Sequence, residues 1–270
     1  MADVAELLAA YDAQLRAHVS DRLPRGVRVE RDGPLLRFLG LEDRGLIVYR
    51  DLGELEGVDL DELIGRQVRV FDERGEDFEW KLHGHDRPSD LPQRLRVASF
   101  VAEEEETVVI ARVTEIAGPP RLPAGVSLRE VTGRRDLDRI AALEQTVWGD
   151  DHGWLAESLE AERDADSDAV AIVVAESGDA VVCAAWVRFE RGTQFATLWG
   201  GTTLPGWRGR GIYRATVAYR ACLAARRGVR FIEVDASSES RPILERLGFT
   251  AVTTTTPYIW SPATLPAPAP

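Results

Sequence analysis

The chain has 270 residues, of which 44% are hydrophobic and 29% are charged, and its formal net charge at pH 7 is −12. This length suits two domains, and no apolar run approaches the ~20 residues that a membrane-spanning helix needs. The negative charge disfavours nucleic acid and anionic membranes as partners and mildly favours a cationic substrate such as an amine. The acidic start, Met1–Glu6, lacks the character of a targeting signal, so we expect a cytoplasmic protein.

Potential metal ligands and thiols are few. Cys183 and Cys222 lie in apolar patterns, which indicates small buried residues rather than a disulfide or metal pair. His83, His85 and Asp86 have ligand chemistry, but they lie where a strand runs into a turn and lack further ligands nearby. We therefore predict hydrogen-bonded histidines at a strand end and no metal site.

The first 122 residues alternate helical and strand patterns. The opening segment carries apolar residues at helical spacing, and the runs after it are short and bounded by turn residues. The predicted elements are a helix over 3–19, strands near 27–29, 35–38 and 45–49, a helix over 59–73, a strand at 78–82, a helix at 91–97 and a strand at 107–113.

A Pro/Gly-rich segment, Ala117–Gly125, predicts the junction between two domains. The domains are expected at 1–122 and 123–262, followed by a disordered Pro/Ala tail at 263–270. The predicted elements after the junction are a strand at 126–131, helices over 137–147 and 154–163, strands at 169–175, 181–189 and 194–203, a helix over 211–226 and a strand at 229–235. The strands at 194–203 and 229–235 are expected to be parallel, joined through the helix between them.

The segment Thr202–Arg214 has the properties of a phosphate-binding turn. A strand ends at Pro205, and Gly209 and Gly211 let the main chain approach a ligand closely. The helix that follows offers free N–H donors and the positive end of its dipole. The nearby arginines supply forked donors for phosphate oxygens.

This segment resembles the acyl-CoA pyrophosphate loop of the GNAT superfamily of N-acetyltransferases, whose pattern is Arg/Gln-x-x-Gly-x-Gly/Ala. Arg208 and Gly211 match the first and fourth positions, whereas Tyr213 replaces the small residue of the sixth. The resemblance implies an α/β fold with a mixed sheet and acetyl-CoA as acyl donor. It also implies that the main chain of the preceding strand binds the pantetheine arm and polarises the thioester carbonyl. The implied cofactor-binding residues are Thr202, Thr203, Leu204, Arg208, Gly209, Arg210, Gly211, Ile212, Tyr213, Arg214 and Ser237.

A second match to the superfamily is Leu247-Gly248-Phe249, which resembles the end of its last helix. Counting back from Gly248, Ser237 lies where the pattern has Asn, and Leu244 lies where it usually has the Tyr that acts as general acid. Tyr258 is the nearest replacement acid in sequence, followed by Tyr213. Candidates for the base are Glu190, Asp235 and Glu144, or a water relay. The predicted catalytic residues are Tyr258, Glu190 and Ser237.

The helix–strand order of the first 122 residues also resembles half of this fold, but without a Gly/Arg turn before its helix. We expect a degenerate, cofactor-free copy or another small α/β domain. The predicted function is acetyl transfer to a primary amine of a small molecule or peptide by direct attack, in a monomer or homodimer. Two alternatives remain, namely a CoA-binding sensor or scaffold without turnover and an acyltransferase for longer acyl chains.

Overall fold

The computed structural model describes residues 3–262, so the predicted tail at 263–270 lies outside the described residues. The helices are α1 (Val4–Gln14), α2 (Gly57–Arg74), α3 (Leu91–Val97), α4 (Val113–Ile116), α5 (Arg134–Trp148), α6 (Gly153–Ala165), α7 (Ile212–Arg226) and α8 (Arg241–Arg246). The strands are β1 (Arg28–Asp32), β2 (Leu35–Leu39), β3 (Gly45–Tyr49), β4 (Phe78–His83), β5 (Val101–Ala102), β6 (Glu106–Arg112), β7 (Ser127–Val131), β8 (Val170–Ser177), β9 (Ala180–Phe189), β10 (Phe195–Thr203), β11 (Phe231–Ala236) and β12 (Thr250–Trp260).

The chain forms two compact units that interleave along the sequence. Among the described residues, unit 1 consists of 3–26 together with Thr107–Val252, and unit 2 consists of Val27–Glu106 together with 253–262. The sequence predicted a single division at residue 122 instead. The interleaving arises from strand pairing that is distant in sequence, because the second part of β12 pairs with β4, and β6 pairs with β11.

Unit 1 contains a mixed sheet in the order β6-β11-β10-β9-β8-β7. All neighbouring strands are antiparallel except β10 and β11, which are parallel as the sequence predicted. Because alternate residues of a strand face opposite sides, the apolar runs of β8 and β9 supply two cores. One core packs against α5 and α6, and the other packs against α7.

Unit 2 contains the strand order β1-β2-β3-β4-β12, with β5 beside β12. Its only parallel pair among the described strands is β3 with β4, and α2 connects these two strands. The apolar face of α2 packs on the sheet through Phe71, which stacks on Phe78 at 4.1 Å between ring centroids. A parallel pair joined by a helix therefore occurs once in each unit.

The sequence placed most elements correctly but missed their ends and several short pieces. The first helix ends at Gln14 rather than Val19, and the helix predicted from Asp59 starts at Gly57. The strand predicted at 107–113 begins one residue earlier, at Glu106, and neither β5 nor α4 was predicted. Elements of two to four residues have too little periodicity to be recognised in a sequence.

The packing of α2 on β3 leaves no room for a side chain at Gly45. A Cβ at Gly45 would overlap the ring of Phe71, which is fully buried. We expect Gly45→Ala to lower the free energy of unfolding of unit 2 by about 1–3 kcal/mol, as overpacked cores do. Hydrogen exchange of the α2 amides would measure this loss.

Gly65→Ala is the matched control for that variant, since it makes the same change on α2 itself. A Cβ at Gly65 would have ordinary contact with Arg69 at 3.6 Å. Replacing a helix-interior glycine by alanine should stabilise the helix by roughly 0.5–1 kcal/mol. Equal α2 protection in the two variants would contradict the assigned packing.

Candidate functional site

In unit 1 two neighbouring parallel strands pair over a short stretch and then separate, and we call the gap between their ends the cleft. β10 pairs with β11 only over Phe195–Thr197 and Phe231–Glu233, although β10 continues to Thr203. On its other edge β10 stays paired with β9 as far as Thr203. The main-chain groups of β10 that face β11 beyond Thr197 are therefore outside the ladder, and an extended ligand could pair with them.

Two glycines give β10 its irregular end. The register with β9 shifts between Gly200 and Thr202, and both Gly200 and Gly201 have positive φ, at 65° and 93°. A Cβ on Gly200 would lie 2.6 Å from the Trp186 ring, and one on Gly201 would overlap the Tyr213 ring. Only glycine fits between these aromatic rings in this conformation, so the bulge is a required feature of the strand.

Arg220 stabilises this bulge from the α7 side. Its side chain is 1% exposed, and its Nη1 donates to the carbonyl oxygens of Trp186 and Trp199, both at 2.9 Å. Its Nε donates to the Thr216 carbonyl at 3.1 Å. Burial lowers the pKa of Arg220 to about 10. Its described hydrogen bonds all go to main-chain carbonyls and to Thr216, so the guanidinium connects the Trp186–Trp199 pair of β9 and β10 to α7.

After β10 the chain makes a short turn at Pro205–Trp207 and enters α7 through two glycines. Gly209 and Gly211 have φ values of 73° and 83°, and a Cβ on Gly209 would meet no described atom within 4 Å. Gly211 is the N-cap of α7, and within the described residues no side chain caps this helix. Its first N–H groups are therefore available to an anion.

The arginines of this loop have different surroundings. Arg208 donates from Nε to the Thr203 carbonyl at 3.1 Å, which connects the loop to the end of β10. The guanidinium of Arg210 stacks over Trp207 at 4.7 Å from the ring centroid. Arg214 is exposed beside Gly211. All three positive charges thus surround the start of α7.

Tyr213 lies between the diverging strands. Its ring covers Gly201 of β10, and its hydroxyl makes a hydrogen bond with Ser240, which follows β11. Burial raises the pKa of Tyr213. Ser237 is close by in this segment, since its Oγ lies 3.2 Å from the Oγ of Ser240. The bulky residue that departs from the family pattern therefore reaches from one separated strand to the segment after the other.

Glu144 reaches the same strand end from α5. Its residue is 4% exposed, and its Oε2 accepts from Thr202 Oγ1 at 2.7 Å and from Trp148 Nε1 at 2.9 Å. Burial raises the pKa of Glu144, and the hydrogen bonds from Thr202 and Trp148 oppose that rise. From the sequence, Glu144 was only one of several candidates for the base, because helical spacing indicates that it lies on a buried face but cannot show its contact with Thr202.

The predicted catalytic residues do not all lie at this strand end. Glu190 follows β9 and contacts Thr197 Oγ1 at 3.1 Å, next to the part of β10 that is still paired with β11. Ser237 follows β11 and belongs to the group around Tyr213. Tyr258 belongs to unit 2, where it is buried and has the Arg96 guanidinium over its ring. Asp235 lies on β11, opposite Val108 of β6.

The two cysteines and His85 are buried or hydrogen-bonded within the fold. Cys183 is buried, which raises the pKa of its thiol to about 11, and Cys222 donates to the Gly118 carbonyl at 3.2 Å. Neither forms a disulfide with the other. His85 Nδ1 lies 2.8 Å from Thr253 Oγ1 in unit 2. Residues 3–262 contain no group of three or more His, Cys, Asp or Glu side chains that could hold a metal ion.

The corresponding strand end in unit 2 is filled by side chains. Tyr49, at the end of β3, is 1% exposed and donates from its hydroxyl to Asp86 Oδ2 at 2.6 Å. Trp80 Nε1 donates to the same hydroxyl at 3.3 Å. Asp86 Oδ2 also accepts from the His83 amide at 2.8 Å. The two parallel pairs of the protein thus differ in what occupies the space where they end.

Solved structures with the same fold are numerous, although the sequence matches no protein-family model and no curated protein. A GCN5-related N-acetyltransferase from Kribbella flavida superposes with a TM-score of 0.69 at 16% identity, over 98% of this chain and 97% of that one. A tandem GNAT protein from the clavulanic acid biosynthesis pathway gives 0.63 at 14% identity, over 97% and 96%. A GCN5-related N-acetyltransferase from Sphaerobacter thermophilus gives 0.60 at 14% identity, over 96% and 86%.

The chain therefore has the GNAT fold, which confirms the resemblance that the loop and Leu247-Gly248-Phe249 indicated. The similarity extends over nearly all of both chains, including a protein with two tandem domains, which supports a two-domain GNAT arrangement here. In the part of the chain that the structure describes, no helix is both long and apolar enough to cross a membrane.

Removing the Arg220 guanidinium should disturb the bulge of β10. In Arg220→Leu the carbonyls of Trp186 and Trp199 lose their donor, and a buried acceptor without a partner costs about 1–3 kcal/mol. We expect a lower denaturation midpoint and faster hydrogen exchange of the β9 and β10 amides. Arg226→Leu, at the exposed end of the same helix, is the control. Unchanged exchange in Arg220→Leu would show that the bulge does not depend on Arg220.

The buried carboxyl of Glu144 should make stability depend on pH. Because burial raises its pKa in the folded state, its contribution to stability is complete below the unfolded pKa and is lost as pH rises through the folded pKa. We expect the difference in melting temperature, Glu144→Gln minus wild type, to become more positive between about pH 4 and about pH 8. The control is Glu157→Gln on α6, where the side chain is exposed. A parallel pH dependence in the wild type and Glu144→Gln would contradict this assignment.

Proposed function

We propose that unit 1 is an N-acetyltransferase that moves an acetyl group from acetyl-CoA to a primary amine by direct attack. The observation that carries this proposal is the cleft where β10 and β11 separate, directly followed by the glycine loop at the start of α7. The cleft offers unpaired main-chain groups to an extended amide-containing arm. The loop offers main-chain N–H groups and arginines to a pyrophosphate.

The loop residues fit the charged end of acetyl-CoA. Gly209 and Gly211 leave the main chain open, and the uncapped start of α7 presents its N–H groups within the described structure. Arg210 and Arg214 have no acidic partner among the described ion pairs, so their charge is available to phosphate oxygens. Acetyl-CoA supplies the thioester, while the protein supplies binding, orientation and proton transfer.

The end of β10 fits the thioester. Thr202, Thr203 and Leu204 would pair with the pantetheine arm through their main chains, and a backbone N–H there would stabilise the oxyanion as the amine attacks. Of the tyrosines considered from sequence, Tyr213 lies in the unit that contains the cleft, so we assign it the role of donating a proton to the leaving thiolate. Ser240 makes a hydrogen bond with its hydroxyl, and Ser237 Oγ donates to Ser240 Oγ at 3.2 Å.

Thermal stabilisation by acetyl-CoA or CoA tests the proposed binding site. Free ligand at ~100 times its dissociation constant should stabilise the wild type by about 2.7 kcal/mol. Gly211→Glu should abolish this gain, because it places a carboxylate and a strained residue at φ 83° where phosphate would bind.

Gly228→Glu is the matched control, because Gly228 also has a positive φ, of 71°, and follows the opposite end of α7. A Cβ there would meet no described atom within 4 Å. This variant should keep the full response to CoA. Absence of any response in the wild type would overturn the proposed function, and an unchanged response in Gly211→Glu would place the site elsewhere.

A CoA-binding sensor without turnover is the alternative, and Leu244 favours it. Leu244 is buried at the position where the superfamily usually has its tyrosine acid, and it cannot donate a proton. Release of CoA from acetyl-CoA in the presence of a panel of amines separates the two functions. Binding without amine-dependent release would establish the sensor.

A further inference from the structure

One oxygen of the buried Glu144 carboxylate lacks a donor. Thr202 Oγ1 and Trp148 Nε1 both donate to Oε2, whereas Oε1 is buried and has no hydrogen-bond partner among residues 3–262. A buried acceptor normally has a partner, and a buried charge normally has a counter-ion. No arginine forms an ion pair with Glu144 within the described part of the chain, although 33 residues of the protein are Lys or Arg.

The position of this oxygen indicates what its missing partner is. Glu144 contacts Thr202, the residue directly after the bulge of β10, so the carboxylate lies beside the strand end that the proposed function assigns to the thioester. A group that pairs with Oε1 must donate a hydrogen bond, and a positive charge on that group would also offset the buried negative charge. A protonated primary alkylamine meets both requirements.

We propose that Glu144 Oε1 receives the ammonium group of the acceptor and removes its proton, so that the substrate class is a primary alkylamine. This inference rests on the proposed function and deepens it. The residue comes from α5 rather than from the strands that line the cleft. A base at Glu144 places the acceptor on the α5 side of β10, whereas Arg220 and Tyr213 come from α7.

The proton and electron balance of the step is simple. The ammonium gives one proton to Glu144, which passes it to solvent, and the nitrogen lone pair attacks the thioester carbon to form the C–N bond. The C–S bond breaks and its electron pair goes to sulfur. As the tetrahedral adduct collapses, Tyr213 donates its proton to the leaving sulfur. The nitrogen releases its second proton to solvent, and a proton from solvent restores the Tyr213 hydroxyl.

One exposed side chain, Trp148, contacts Glu144. Trp148 is 59% exposed, and its indole Nε1 donates to Glu144 Oε2 at 2.9 Å, so this side of the carboxylate lies near the protein surface. The titratable groups that face Glu144 are His152, whose charge would favour the carboxylate, and Cys183, which is buried. Thr202 from β10 and Trp148 donate hydrogen bonds to the same carboxyl.

Glu144→Gln tests this role because it keeps the shape and the acceptor oxygen of the side chain. Glutamine can still accept from Thr202 and Trp148, so acetyl-CoA binding and the melting temperature should remain close to those of the wild type at acidic pH. Transfer to a primary alkylamine should fall ~100- to 10,000-fold in kcat/KM at neutral pH, which is the usual contribution of a general base.

Two further readouts separate a base from a structural residue. In Glu144→Gln, kcat/KM for the alkylamine should rise with pH in proportion to the free amine, whereas the wild type should level off. An arylamine of similar size, which is already neutral at neutral pH, should lose far less rate than the alkylamine. Glu157→Gln should leave both amines unaffected.

Each outcome decides for or against the inference. Wild-type rates and an unchanged pH profile in Glu144→Gln overturn it while leaving the proposed transferase in place. Equal losses for the alkylamine and the arylamine also overturn it, since they would indicate a purely structural role. No acetyl-CoA binding and no transfer by the wild type would overturn the proposed function itself, and this inference with it.

Discussion

The short parallel pairing of β10 with β11 is the constraint on which unit 1 depends. Three residues of each strand are hydrogen-bonded, and then the strands separate while β10 stays attached to β9. The separation requires β10 to leave its regular register, which Gly200 and Gly201 allow through positive φ. Aromatic rings pack directly on these two glycines, so the irregular strand end is held by packing as well as by hydrogen bonds.

Two buried charges reach this strand end from different helices. Arg220 extends from α7 and donates to the carbonyls of β9 and β10, whereas Glu144 extends from α5 and accepts from Thr202. The two side chains form no ion pair with each other in the described contacts, and each makes hydrogen bonds with groups of the strands. Burial shifts the pKa of Arg220 down and that of Glu144 up. Such opposed shifts around one polar cleft are typical of functional sites.

The two units show how one topology gives a cleft in one place and a filled core in another. In both, a helix connects two parallel strands that pair over three residues, β10 with β11 and β3 with β4. In unit 2 the end of β3 is occupied by Tyr49, which is buried and bonded to Asp86. In unit 1 the equivalent strand end has glycines and leads into the arginine-rich loop. Residue size at the strand end therefore distinguishes the two.

The sequence by itself determined the order of the main elements, the parallel pair in unit 1 and the GNAT fold, because periodicity and the glycine-arginine turn are local properties of the chain. It did not determine the interleaving of the units, which depends on strand pairs far apart in sequence. Only the tertiary structure decided the importance of Glu144, whose partner Thr202 is 58 residues away. Helical spacing shows that a residue is buried, whereas only the packed fold shows which polar group it meets.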